Sequence, residues 1–268
     1  MGQKVTVGGT DYDIKAGQCL INGTAYAIQK GRTLINGTGY DIALVSGTPI
    51  SALPVGSTVK IAVNGTLLDF LVVNQGIPQN SALYDDSCNG TWLLMKDCYE
   101  KRQWNSQYYN SYGDSNIHSY LNGTFYTLID SDVKSIIKQV KIPYRATAGY
   151  NTTISSGASG LSAKVFLLSG IEVGLEGARY LPYDGTKLSY FNASTGKDAK
   201  RIAYLNGSAA TWYLRTPYCE DTYGSTDVVA VNPGGDWWHY VCSNSFSVRP
   251  AFVLPSETMV ADDGTIVT

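Results

Sequence analysis

Two short apolar segments, Trp212 to Pro217 and Val248 to Leu254, enclose a long polar and aromatic stretch. This bracket constrains the fold more than any other feature of the chain. Trp212 and Leu214 alternate in the first segment, and Val248, Ala251, Phe252 and Leu254 crowd the second, so both read as core strands. The enclosed stretch is rich in Tyr, Trp, Asp, Asn, Ser and Gly, with one apolar run, Val228 to Val231, that predicts a further strand. Stiff amphipathic rings beside small adaptable hydrogen-bonding side chains are the chemistry of contact surfaces. A rigid scaffold that displays loops of this kind is suited to binding.

Within this interior, Pro233-Gly-Gly-Asp236 predicts a turn, followed by Trp237, Trp238, His239 and Tyr240. Consecutive rings after a turn project to different sides, so at least one of the two tryptophans is expected at the surface. The expected ligand contacts are Tyr218, Glu220, Asp221, Tyr223, Asp236, Trp237, Trp238, His239, Tyr240, Ser243 and Asn244. Exposed Trp and Tyr are common anchors of binding energy. Ordinary loop packing is the competing reading for each of them, and Trp212 is assigned to the core.

The catalytic signal is weak. His118 falls on an expected helix face and reads as structural, and His239 reads as a contact residue. A Cys242–His239 pair would need a third group to orient the imidazole before the thiol became a nucleophile, and no such pattern surrounds it. Asp221, Asp227 and Asp236 could ligate calcium, but scattered aspartates in turns more often cap those turns. No enzyme, metal or cofactor is expected. The cysteines, Cys19, Cys88, Cys98, Cys219 and Cys242, are odd in number and contain no CxxC, so reduced thiols are the expectation, with Cys88–Cys98 and Cys219–Cys242 pairs as alternatives.

A net charge of −2 leaves no basic footprint for nucleic acid, and no apolar run of 18 residues predicts a membrane span. The start, Met1-Gly-Gln-Lys-Val, has no hydrophobic segment of a secretory signal. With 28 Gly and 20 Tyr, a β-rich chain with many turns is expected.

The first 44 residues repeat. Gly9-Thr10, Tyr12 and Ile14 return as Gly23-Thr24, Tyr26 and Ile28, and again as Gly37-Thr38, Tyr40 and Ile42, with a period of 14 residues. Each unit reads as a hairpin. Units this small bury little apolar surface alone, so association with other copies or docking on a larger structure is expected, with a linker-like β-extension of the main domain as the alternative. Residues 45–54 read as a linker, 55–257 as the main domain and 258–268 as a tail. In the main domain Thr58 to Val63 and Thr66 to Val73 flank Asn64-Gly65, a strong hairpin signal, and Thr91 to Met95 reads as a buried strand. Ser115 can cap a helix with Ile117, Tyr120 and Leu121 on one face. Asp130 or Ser131 can cap a second, with Val133, Ile136, Ile137 and Val140 as its apolar face. Tyr144 to Ala163 reads as a loop, Lys164 to Ser169 as a strand, and Asp198 to Leu205 as a short helix.

Several of these motifs resemble one family. Its members typically read Trp-Trp-Leu-Arg-Ser-Pro, a variable middle and Gly-Val-Arg-Pro-Ala; this chain has Trp212-Tyr-Leu-Arg-Thr-Pro217 and Ser247-Val-Arg-Pro-Ala251. The family's Trp-Asn and Ser-x-Ile-Arg-x-Trp-Leu-Asn-x-x-Phe elements are kept as Trp104, Asn105, Ser115, Ile117, Leu121, Asn122 and Phe125, with His118 and Tyr120 as departures. Val165-Phe-Leu-Leu-Ser169 also matches. The chain therefore resembles a domain family of bacteria and phages (DUF6273-like) with a C-type lectin-like or formylglycine-generating-enzyme-like fold. It is also similar to the variable proteins of diversity-generating retroelements.

The resemblance implies an α+β architecture: a C-type lectin-like fold following an N-terminal module of short β-hairpin repeats. It implies a ligand-binding protein carried on a phage virion, made in the host cytoplasm, that recognises a bacterial cell-surface protein or glycan through the 218–246 loops. The repeats would join it to other virion proteins, as a homo-oligomer, without nucleic acid or membrane insertion. Retroelement diversification would act on Asn-type codons, from which adenine changes reach Tyr, Asp, His, Ser and Asn but not Trp237, Trp238 or Glu220. A decoration protein without a ligand, and an enzyme of the formylglycine-generating type, stay open as alternatives.

Overall fold

The computed structural model describes residues 47–79, 82–146, 153–220 and 225–267 with their side chains, and the strands between Gln3 and Ala43 as backbone. Those N-terminal strands pair as successive antiparallel hairpins. Val7 faces Thr10, Ile21 faces Thr24 and Ile35 faces Thr38 across two-residue connections, which repeat every 14 residues as the sequence does.

Two largely antiparallel sheets organise the rest, and the described residues are mixed α and β with few and short helices. The first sheet has the order Ala251–Leu254, Thr91–Met95, Thr66–Gln75, Thr58–Val63. Asn64 and Gly65 join its last two strands with φ of 50° and 75°, the positive values a tight hairpin turn needs. In the outer strand Val59, Ile61 and Val63 are buried while Thr58 and Lys60 face water, the alternation of a half-covered strand. Thr91–Met95, in contrast, is buried at every position, because both faces of the sheet are covered there. Trp92 packs edge-on against Phe166 and Tyr84, with ring centroids 5.4 and 5.7 Å away.

The second sheet has the order Lys101–Gln103, Ser245–Ser247, Trp212–Pro217, Asp227–Val231, Trp237–Val241. Its strands are antiparallel except where Trp212 lies parallel to Ser247. Trp237–Val241 forms the edge. The 218–246 interior is therefore not only loops: its aromatic run is itself a strand, zipped to the apolar run before it. The turn at Pro233 to Asp236 closes this hairpin, with Asn232 N–H donating to the Asp236 carbonyl at 2.8 Å.

Ser115 caps the helix Asn116–Tyr120, its Oγ accepting from the His118 N–H. Asp130 caps Ser131–Ile136 in the same way. Val140 does not belong to that helix's face; it starts the strand Val140–Ile142, paired with Leu161–Ala163. Tyr144–Arg145 also pairs with Ile154–Ser155, so the stretch 144–163 is not wholly loop. Asp198 to Leu205 contains one 3-10 turn, Ala199–Arg201, before the chain extends. Residues 48–49, expected as linker, pair with Met259 and Val260, expected as tail, and Ile50 is fully buried against the main core.

Lys164 to Ser169 is not a strand: the chain bends at Lys164 and Val165 and makes one isolated bridge, Phe166 with Ala251. Side chains occupy its backbone instead. Asn122 receives the Lys164 and Val165 N–H groups on its Oδ1 and donates to the Val165 carbonyl at 2.9 Å. Tyr112 accepts from Leu167 N–H at 2.9 Å, and Arg215 Nη1 donates to the Leu167 carbonyl at 2.9 Å. Backbone bonds to two strands complete the set: Phe166 exchanges both of its bonds with Ala251, and the Leu168 carbonyl accepts from the Arg215 N–H at 2.9 Å.

Four arginines, Arg145, Arg201, Arg215 and Arg249, are among the largest fully buried side chains. Arg201 holds three loops together, with Nε on the Gly235 carbonyl at 2.9 Å and Nη1 on those of Ser194 and Val173 at 2.8 and 3.4 Å. A guanidinium offers five donors in a fixed plane, so one side chain can satisfy several loop carbonyls at once.

Candidate functional site

The site is built where strand Trp212–Pro217 ends and strand Asp227–Val231 begins. Tyr218 N–H donates to the Asp227 carbonyl at 2.9 Å, fixing the Tyr218 backbone beside that strand. The His239 imidazole lies flat on the Tyr218 ring, with centroids 3.9 Å apart and planes 2° from parallel. The Trp238 indole stacks on His239 at 4.9 Å, and Tyr180 meets Tyr218 edge-on at 5.6 Å. The Arg179 guanidinium lies 4.3 Å over the Tyr180 ring. The result is a continuous row, Arg179, Tyr180, Tyr218, His239, Trp238, that ends at the surface: Trp238 is 56% exposed.

Electrostatics hold the row in place. His239 Nδ1 lies 2.7 Å from Asp227 Oδ2, and the other carboxylate oxygen accepts from Thr226 Oγ1 at 2.9 Å. Asp227 is buried at the first residue of its strand, so it fixes the plane of the imidazole rather than moving with it. Burial, followed by the Glu220 carboxylate, pushes the Tyr218 phenol up to about 12. Beneath lies a buried support. Asn110 Nδ2 donates to the Asp227 carbonyl at 2.6 Å, its Oδ1 accepts from Arg145 Nη2, and Arg145 Nη1 reaches Cys219 Sγ at 3.1 Å. Burial lowers the Arg145 pKa, and Cys219 offsets part of that cost.

The expected contact residues do not all converge. Tyr218, Trp238 and His239 share the row, and the Glu220 carboxylate acts on the Tyr218 phenol. Tyr240 belongs to a separate aromatic group, its hydroxyl donating to Asn232 Oδ1 at 2.8 Å and its ring 4.7 Å from Phe246, which also packs on Tyr213. Trp237 is tied by its indole N–H to the Thr195 carbonyl at 3.0 Å. Asp236 closes the hairpin turn, Ser243 accepts from Gln103 Nε2 through its carbonyl at 2.9 Å, and the Asn244 carbonyl accepts from the Tyr213 hydroxyl at 2.6 Å. Asp221 and Tyr223 lie outside the described residues.

Three residues that organise this surface, Asn110, Arg145 and Tyr180, carry no local signal in the sequence. Asp227, which the sequence offers as a possible calcium ligand, instead heads the strand Asp227–Val231 and orients His239. Nothing in the local sequence places Asn110 or Arg145 here, because the Asn110 contact with Asp227 spans 117 residues and the Arg145 contact with Cys219 spans 74.

Cys88, Cys98, Cys219 and Cys242 are buried free thiols. Burial pushes Cys242 up to about 11, and its Sγ contacts the Tyr109 carbonyl at 3.6 Å. Among the described residues no group of three His, Cys, Asp or Glu side chains is placed to hold a metal ion, and no helix is long and apolar enough to cross a membrane.

Over residues 89–256 the chain matches the family described as Domain of unknown function (DUF6273). No curated protein and no solved structure matches the chain. The family region runs from the strand Thr91–Met95 through the whole of the ring row to Ala251–Leu254, more than half of the sequence, and the chain belongs to the DUF6273 domain family.

Proposed function

We propose that this chain is a ligand-binding protein that recognises a bacterial surface molecule, protein or glycan, through the ring row ending at Trp238. The observation that carries this reading is an indole 56% exposed at the end of a stack whose inner members are already locked, His239 by Asp227 and Tyr218 by the adjoining strand. A preorganised aromatic anchor loses little entropy on binding and gains its full contact area.

The proposal includes a C-type lectin-like fold. Its support is the path of the chain: strand Ala251–Leu254 returns beside Thr91–Met95, so everything between them forms one excursion that carries the ligand surface. It also includes display on a phage particle, with the hairpin repeats as the attachment module and as contacts between copies. If the gene is diversified, Trp238 is the fixed anchor and His239, Tyr240, Ser243 and Asn244 are the changeable neighbours.

The test is binding of the purified protein to a panel of bacterial cells. Binding to some hosts, lost in Trp238→Ala, supports the reading. A protein that binds no host on a wide panel would instead be a decoration protein.

A further inference from the structure

Segment 180–184 is a strap fastened at both ends to the chain that leads from strand Trp212–Pro217 into the ring row. At one end the Tyr180 carbonyl accepts from the Cys219 N–H at 3.0 Å. Tyr180 sits there at a φ of 63°, a conformation that its surroundings must hold, and its ring meets Tyr218 edge-on. At the other end Thr216 Oγ1 accepts from the Gly170 N–H at 2.7 Å and donates to Asp184 Oδ2 at 2.8 Å. Between the two ends Leu181 is buried and Tyr183 is 66% exposed. Gly185 follows, where an added Cβ would lie 2.8, 2.9 and 3.0 Å from side-chain atoms of Ser169, Glu172 and Tyr84. The strap therefore ends pressed against Glu172.

The Asp184 end is short of positive charge. Arg215 gives Glu172 two N–H groups, one to each oxygen, but reaches Asp184 only at its backbone carbonyl, at 2.9 Å. The Tyr84 hydroxyl also goes to Glu172. One guanidinium thus faces two carboxyl groups, and Asp184 Oδ1 is buried with no hydrogen-bond partner among the described residues. Burial and their mutual contact dominate the titration of Arg145 and Cys219, and the Asp184 charge then raises both. A protonated Asp184 fits this place, whereas an ionised one lies dry and half satisfied. Burial raises the Asp184 pKa to about 6, against the pull of Arg215 and the Thr216 hydrogen bond.

We infer that Asp184 is a proton-operated latch on the strap. With the proton on, the strap lies closed on Thr216 and Tyr180 is seated against Tyr218. With the proton off, the strap lifts to hydrate the carboxylate and frees Tyr180 from the ring row. The latch makes the inner end of the row firm in acid and loose above neutrality, whether or not the row binds a ligand.

The test is amide hydrogen exchange of the full chain at pH 5 and 7.5, corrected for the intrinsic effect of pH on exchange. It is read at the Cys219 N–H, which the Tyr180 carbonyl covers, and at the Asp184 N–H, which donates to the Pro182 carbonyl at 2.9 Å. With a closed-state pKa of about 6 and an open-state value near ~3.9, the opening constant should rise about tenfold between these pH values. Both amides should also exchange at least tenfold faster than those of Thr91–Met95, because the strap opens without the core. Asp184→Asn copies the protonated acid in shape, and its melting temperature at pH 5 shows that it folds; the rise should disappear in it. Asp184→Ala, with no group to titrate, should lack the rise as well. No rise in the wild type, or the same rise in either variant, would overturn the inference. So would exchange no faster than in Thr91–Met95, since the strap would then part only with the whole fold.

Discussion

Arg215 and Glu172 meet side by side in the interior, Nη1 on Oε2 and Nη2 on Oε1, each at 2.6 Å, with no solvent exposure of either side chain. Arg215 comes from the Trp212–Pro217 strand, and Glu172 from the turn that follows Lys164 to Ser169. Every other donor of the guanidinium is used, on the carbonyls of Pro143, Leu167 and Asp184. Tyr84 and the Ser169 N–H complete the carboxylate shell, each at 2.9 Å. Burial works against the charge on Arg215, and Glu172 overrides it, so the Arg215 pKa rises. The pair joins the scaffold of the ring row to segments far from it in sequence.

Removing one partner leaves the other charged and dry. Glu172→Gln is expected to lower stability by about 3–5 kcal/mol. The double change Glu172→Gln with Arg215→Met is expected to cost less than the sum of the two single changes. Urea unfolding of the three variants checks this, and simple additivity would show that the pair does not act as a unit.

Asp184 sits beside that pair, fully buried, with Oδ2 accepting from Thr216 at 2.8 Å and Oδ1 unpartnered. Burial raises its pKa to about 6, against the pull of Arg215 and the Thr216 hydrogen bond. An unfolded Asp titrates near ~3.9. Between these values the folded chain holds a proton that the unfolded chain has released. Its contribution is therefore greatest at acid pH and falls as pH rises through 4 to 6, by about 3 kcal/mol in all. Comparing urea midpoints at pH 4.5 and 7 for the wild type and Asp184→Asn isolates this group. The variant should lack the fall, and equal pH slopes in the two proteins would contradict the assignment.

Trp238 is expected to matter for binding and not for folding. Trp238→Ala should change stability by no more than about 0.5 kcal/mol, since the indole is mostly in water, while host-cell binding falls at least tenfold. Asp227→Asn should also weaken binding, because it loosens the imidazole without removing a ring. A melting curve and a cell-binding assay on each variant separate the two effects.

Two glycines with positive φ should respond differently to alanine. Gly65, at +75°, has open space around a new Cβ, so Gly65→Ala meets only the backbone penalty of about 1 kcal/mol. Gly174, at +89°, would place a Cβ 1.9 Å from the Asn192 carbonyl oxygen, and backbone must move. Gly174→Ala should cost about 3 kcal/mol or more. Melting temperatures of the two variants provide the comparison.

Local pattern alone made much of this protein legible. The Asn64-Gly65 hairpin, the buried strand Thr91–Met95, the Ser115 and Asp130 caps, the apolar strand ending at Val231 and the exposure of one of two adjacent tryptophans all follow from neighbours in sequence. Turn chemistry, capping and side-chain periodicity act over a few residues, so the residues that decide them are adjacent on the chain. Where the tertiary structure intervened, the reason was long-range satisfaction of polar groups. Lys164 to Ser169 has a strand's composition but not its ladder, and the side chains of Asn122, Tyr112 and Arg215 bond the backbone of Lys164, Val165 and Leu167 instead. The aromatic run at Trp237 became an edge strand because Asp227–Val231 was available to pair with it. The ring row itself was invisible in the sequence. His239 lies flat on Tyr218 only because Asp227, Asn110 and Arg145, brought together from separate segments, hold both rings at that distance.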